Sequence, residues 1–121
     1  MTKILIVEDN EMNMRLFSDL LKSQKYDVVS CSDGRLALET VQKEKPDLIL
    51  MDIQMPGISG LQVTEMIRKT EDVKNTKIIA VTAFAMKGDE QKIIDGGCDG
   101  YIAKPISVPD FLKTVSSFVK L

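Results

Sequence analysis

Three carboxylates, a hydroxyl and an ammonium stand where separate apolar runs of this sequence end: Glu8-Asp9 after Ile4-Leu5-Ile6-Val7, Asp52 after Leu48-Ile49-Leu50-Met51, Thr82 after Ile78-Ile79-Ala80-Val81, and Lys104 after Tyr101-Ile102-Ala103. Brought together, Glu8, Asp9 and Asp52 carry a formal charge of about -3 and Lys104 returns one, so the group attracts a divalent cation and repels a bare phosphate. The donors are all oxygen, with no histidine in the chain. Such a set suits Mg²⁺, which takes one or two carboxylates, keeps several waters and accepts phosphate oxygens. Carboxylates form aspartyl phosphates, and catalysis of phosphoryl transfer is largely positioning and charge neutralisation. Asp52 is therefore the candidate reacting group, with Thr82 and Lys104 neutralising phosphoryl oxygens. Taken singly, Glu8-Asp9 reads as a solvated loop, Thr82 as a helix cap and Lys104 as a surface lysine. Their joint placement at four separate strand ends is what points to chemistry.

That placement depends on the elements between them. Leu48 to Met51 is too short for a helix and does not alternate, which suits a strand buried on both faces of a parallel sheet. Lys45-Pro46-Asp47 precedes it and Pro56-Gly57 turns the chain after it, an arrangement predicted to leave Asp52 exposed within reach of water, a metal or a cation. Further strands are expected at Ile4–Val7, Tyr26–Cys31, Lys77–Val81 and Tyr101–Ala103, the second at an edge because Asp27 and Ser30 interrupt it. Helices are predicted from about Glu11 to Gln24, through Leu36, Ala37 and Val41, with Val63, Met66 and Ile67 on one side, over roughly Met86 to Asp95, and through Val108, Phe111, Leu112, Val115, Phe118 and Val119. The helix from Met86 has little to bury in its first turns, and Gly96-Gly97 can end it in a left-handed cap. Strands alternating with helices predict an α/β, flavodoxin-like fold: a five-stranded parallel sheet of order 2-1-3-4-5 with five helices on its two faces. In that order the carboxyl ends share one edge and Asp52 neighbours Glu8 and Asp9. Lys104 starts two strands away, about 9–10 Å at ~4.8 Å per strand, a gap that a lysine can largely cross.

A chain of 121 residues, 44% hydrophobic, 28% charged and of net charge -2, fits one domain, residues 1–121, without an effector domain or a basic footprint for nucleic acid. No apolar run approaches the ~20 residues that span a bilayer, and Met1-Thr2-Lys3 leads straight into an apolar strand without a long apolar stretch or cleavage site, so no export signal is expected. Cys31 and Cys98 lack metal-ligand spacing. Reduced thiols and a cytoplasmic location are expected, with no membrane insertion. Asp33, Asp47, Asp95 and Asp99 fit turns and helix ends.

The stretches Ile4 to Asn10, Leu48 to Gly60, Val81-Thr82-Ala83 and Lys104-Pro105 closely resemble the response-regulator receiver family of two-component signalling, CheY-like in fold. Val81 to Glu90, Gly96-Gly97-Cys98 and Lys104 to Ser107 further resemble the stand-alone cell-cycle receivers of that family. The resemblance implies that Asp52 accepts a phosphoryl group from a sensor histidine kinase or a phosphotransfer protein. It implies Mg²⁺, with Mn²⁺ able to substitute, held by Glu8, Asp9, Asp52 and the backbone carbonyl of Gln54, with Lys104 on a phosphoryl oxygen. Thr82 and Tyr101 would be switch residues reshaping the face of the fourth helix, fifth strand and fifth helix for a downstream signalling protein, and Lys104-Pro105 would be a cis peptide. A monomer is expected, with activation-dependent dimerisation as the alternative. Bulky Phe84 beside the phosphoryl group implies slow autodephosphorylation.

Three other readings compete. A flavodoxin-like cofactor binder would need a hydroxyl- and glycine-rich phosphate loop where Glu8-Asp9 stands. An aspartyl-phosphate hydrolase would need an acid at position 54, which is Gln. A receiver-shaped module that is never phosphorylated would not need the complete set of site residues.

Overall fold

The computed structural model describes residues 2–83 and 89–119. Its elements are β1 (Lys3–Val7), α1 (Glu11–Ser23), β2 (Asp27–Cys31), a 3₁₀ turn (Gly34–Leu36) leading into α2 (Ala37–Glu44), β3 (Leu48–Asp52), α3 (Gly60–Arg68), β4 (Lys77–Thr82), α4 (Asp89–Asp95), β5 (Gly100–Ala103) and α5 (Val108–Val119). The strands form one sheet of order β2-β1-β3-β4-β5, every pair parallel.

The two-residue period of the strands divides the core between the sheet's faces. Leu5, Val7, Ile49, Met51, Ile78 and Ala80 pack with α2, α3 and α4. Ile4, Ile6, Leu48, Leu50, Ile79 and Val81 pack with α1 and α5. On that second face the rings of Phe17 and Phe111 stack with centroids 5.3 Å apart, joining α1 to α5. All of β3 is buried. Each large apolar side chain taken fully out of water stabilises the fold by roughly 1.5–3 kcal/mol, so the central strand anchors whatever its end carries. Asp27 and Ser30 on β2 are exposed, as an edge strand allows.

Local chemistry sets the element ends. The Asn10 side chain accepts from the Asn13 amide and caps α1. Ser59 and Gln62 form a reciprocal capping box at the start of α3. Lys45 turns left-handed to end α2 before Pro46. Gly97, at φ +107°, ends α4 as the glycine pair predicts. Three expected packing positions are corrected: Leu36, Met66 and Val108 are exposed. Leu36 belongs to the 3₁₀ turn rather than the helix, and Val108 is the first residue of α5, before its buried stripe of Phe111 and Val115. Met66 sits one residue away from Ile67, about 100° around α3, and so misses the Val63–Ile67 stripe that faces the sheet. Met86 lies outside the described residues.

Candidate functional site

The parallel register carries each polar residue to the same sheet edge. Val7 pairs with Met51, so Glu8 leaves β1 beside Asp52 at the end of β3. Asp52 pairs with Val81, and Thr82, next along β4, pairs with Ala103. Lys104 continues β5, its amide donating to the Thr82 carbonyl at 2.8 Å. The Glu8 amide donates to the Cys31 carbonyl at 3.1 Å, extending the β1–β2 ladder to the site's other flank. Carboxylate oxygens of Glu8, Asp9 and Asp52 lie within 4.8 Å of one another.

The structure corrects one expectation about this group. Asp52 is not exposed: it is 3% accessible, and Glu8 is 1% accessible, while Asp9 lies open to solvent. Lys104 reaches over the sheet edge to both, setting Nζ 3.0 Å from Glu8 Oε1 and 3.5 Å from Asp52 Oδ1. The lysine thus reaches farther than strand spacing suggested, and its shorter contact is with Glu8. The Gln54 amide donates to Asp52 Oδ1 at 3.0 Å, and the Asn10 amide donates to Glu8 Oε2 at 3.2 Å. Burial, then the hydrogen bond and charge of Glu8, push the Asp52 carboxyl up to about 7, against the opposing pull of the Gln54 amide and the Lys104 ammonium.

Three carboxylates share one ammonium here, an excess of negative charge that a divalent cation would offset. The donors are hard oxygens on three side chains, and the residues present therefore fit Mg²⁺. Gln54, whose carbonyl was expected as a further ligand, lies two residues past Asp52 and is tied to it through its amide.

The other expected residues are placed as follows. Thr82 is buried. Tyr101 is half-buried against the α2–α4 side of the core, and the Glu90 carboxylate beside its hydroxyl pushes the phenol up. The Lys104-Pro105 peptide is cis. Phe84 lies outside the described residues. An open cleft of about 430 Å³ runs from Lys104 and Pro105 to Asn13 and Leu16 on α1. Asp33 caps the 3₁₀ turn, Asp47 receives the Lys3 amide and Asp99 pairs with Arg68, all three structural. Sequence reasoning missed Asn10 as a holder of Glu8, although its type and place before α1 mark a residue whose backbone turns there. No helix among the described residues is long and apolar enough to cross a membrane.

Comparison with known proteins agrees with this geometry. Residues 4–116 match the family model for the response regulator receiver domain. The chain is 52% identical over 120 residues to the polar-differentiation response regulator DivK of Brucella ovis, with 98% of each chain covered. Among solved structures it is similar to the chemotaxis protein CheY4 of Vibrio cholerae, with a TM-score of 0.91, 30% identity and 98% of each chain covered. It is also similar to the receiver domain of a Pseudomonas aeruginosa sensor histidine kinase, at a TM-score of 0.90 and 32% identity over 99% of this chain and 98% of that one. In that neighbour a magnesium ion is coordinated in the active-site cleft. Sequence and fold together show that this chain belongs to the response regulator receiver domain family.

Proposed function

We propose that this protein is a response regulator in which Asp52 accepts a phosphoryl group from a phosphohistidine of a sensor kinase or phosphotransfer protein. The observation that carries the reading is the buried Asp52 carboxylate with Glu8, Asp9 and Lys104 gathered around it at one sheet edge. In the reaction an Asp52 carboxylate oxygen forms a bond to phosphorus as the phosphorus–nitrogen bond of the donor breaks, and the departing imidazole keeps the bonding pair and takes up a proton. Glu8, Asp9, Asp52 and the Gln54 carbonyl would hold Mg²⁺, which supplies neutralisation of the charge on the phosphoryl oxygens and on the crowded acids. Lys104 leaves Glu8 to contact a phosphoryl oxygen, and the Gln54 amide keeps the carboxylate aimed along the strand. The exposed Leu16 on α1, which lines the cleft that opens at Lys104, supports a protein as the donor.

The output is contact with another signalling protein. Thr82 moves toward the phosphoryl group and Tyr101 turns inward, reshaping the surface of α4, β5 and α5. The short α4 buries only Ile93 among its described side chains, which suits an element that a few kcal/mol can shift. A role in cell-cycle or division control is supported by the similarity to the polar-differentiation regulators named DivK; a cytoplasmic location and a monomer that can dimerise on activation complete the proposal.

The test is phosphorylation by phosphoramidate, which carries the same phosphorus–nitrogen bond as phosphohistidine, followed by intact mass. The expected result is one phosphoryl group per chain, absent in Asp52→Asn and absent when the metal is chelated. Failure of the wild type to be labelled, while another receiver is labelled in parallel, would replace this reading by that of an interaction module independent of phosphorylation.

A further inference from the structure

Position 60 stands at the end of the loop that leaves Asp52, on the first turn of α3, and only a glycine fits there. A Cβ at Gly60 would lie 2.2 Å from the Asp52 carbonyl oxygen, 2.9 Å from its carbonyl carbon and 2.9 Å from Ile53 Cα. All three are backbone atoms. At Gly34, Gly96, Gly97 and Gly100 the nearest atom to an added Cβ belongs instead to a side chain that can move. Glycine is required at 60 by close approach, since a side chain has no space between α3 and the peptide that follows the reacting residue.

That approach bears on both peptide groups after Asp52. The amide of the Asp52–Ile53 peptide donates to the Val81 carbonyl at 3.3 Å, and its carbonyl faces Gly60. The carbonyl of the next peptide, Ile53–Gln54, accepts from the Gly60 amide at 3.0 Å, while its amide donates to Asp52 Oδ1 at 3.0 Å. One rigid peptide plane therefore connects the first turn of α3 to the carboxylate oxygen. The start of α3 is in turn fixed by the Ser59–Gln62 capping box and by Thr64, whose buried hydroxyl donates to the Gly60 carbonyl at 2.8 Å.

We propose that Gly60 is a positioning residue for Asp52, holding the carboxylate and the loop bearing Gln54 through the Ile53–Gln54 peptide. The proposal rests on Asp52 being the phosphoryl acceptor with a metal beside it. An added methyl must drive the Asp52 carbonyl back by about 1 Å to reach ordinary contact, which tilts the next peptide and pulls its amide off Oδ1; displacements of that size cost about a hundredfold in rate where reacting groups are positioned.

The test compares the wild type with Gly60→Ala and with Gly100→Ala, whose added methyl meets the ring of Phe118 on α5, away from the site. Mg²⁺ affinity is read by competition against the electron paramagnetic resonance signal of Mn²⁺, at a temperature where circular dichroism shows each variant folded. Phosphorylation by phosphoramidate is timed on the same samples. Gly60→Ala is expected to weaken Mg²⁺ binding by about tenfold or more and to slow phosphorylation, with Gly100→Ala within about twofold of wild type. Wild-type affinity in folded Gly60→Ala, or an equal loss in Gly100→Ala, would overturn the proposal while leaving the acceptor reading intact. A wild type that binds neither metal would overturn both. If Gly60→Ala does not fold, the Ser59→Ala/Gln62→Ala double variant releases the start of α3 without adding atoms; weakened Mg²⁺ binding is expected there, and unchanged binding would overturn the proposal.

Discussion

Replacing Asp52 by Asn should stabilise the metal-free protein at alkaline pH and leave it unchanged in acid. The folded carboxyl is raised from 3.8 to about 7, chiefly by burial and by Glu8. The folded state thus binds this proton more tightly than the unfolded state does. The stabilisation that follows is complete below about pH 4 and is lost as pH rises through 7. At ~1.4 kcal/mol per pKa unit the loss reaches about 4 kcal/mol by pH 8. Asn has the same shape and no charge to bury, so Asp52→Asn should exceed the wild type by roughly 2–4 kcal/mol at pH 8 and match it near pH 4. With a urea slope of about 2 kcal/mol per molar, the unfolding midpoint moves up by about 1–2 M. The assay is urea unfolding with a chelator present at both pH values. Equal midpoints at pH 8, or a gain as large at pH 4 as at pH 8, would refute the claim that the Asp52 charge is held at a cost.

Because Mg²⁺ binds the ionised carboxylate, its affinity should rise about tenfold per pH unit below 7 and level off above it, measured by calorimetry; a flat profile would contradict the raised Asp52. Lys104→Met removes the ammonium between Glu8 and Asp52 and should destabilise the metal-free chain by roughly 3 kcal/mol at pH 8, while Mg²⁺ should bind more tightly and restore part of that loss. Urea midpoints with and without Mg²⁺ check both halves. Arg68→Ala removes hydrogen bonds to the carbonyls of Gly97, Lys74 and Thr76 and the ion pair with Asp99, and should lower stability by roughly 2–3 kcal/mol without changing phosphorylation by phosphoramidate.

Much of this site was legible because parallel strands deliver their ends to one edge. Once Leu48 to Met51 reads as a central strand, the residues that follow each apolar run must meet, and Glu8, Asp9, Asp52, Thr82 and Lys104 do so. The burial of Asp52 was not legible. It goes with the close approach of Glu8 and Lys104, and neither leaves a mark in the local pattern. The role of Gly60 was not legible either, since its demand for space comes from residues eight positions earlier that return beside it through the Ile53–Ser59 loop. Leu36 and Met66 show the limit of helical periodicity: an apolar residue next to a buried stripe fits the pattern, and a turn boundary or a rotation of 100° decides its burial.

The central claim, that Asp52 is the residue phosphorylated, is tested most directly by locating the phosphoryl group. Protein treated with phosphoramidate and Mg²⁺ would be reduced with borohydride, which converts an aspartyl phosphate to the corresponding alcohol, then digested and sequenced by mass spectrometry. Homoserine is expected at position 52, with unaltered acids at positions 8 and 9. Reduction at another acid, or a reduction-resistant phosphate on a hydroxyl, would contradict it.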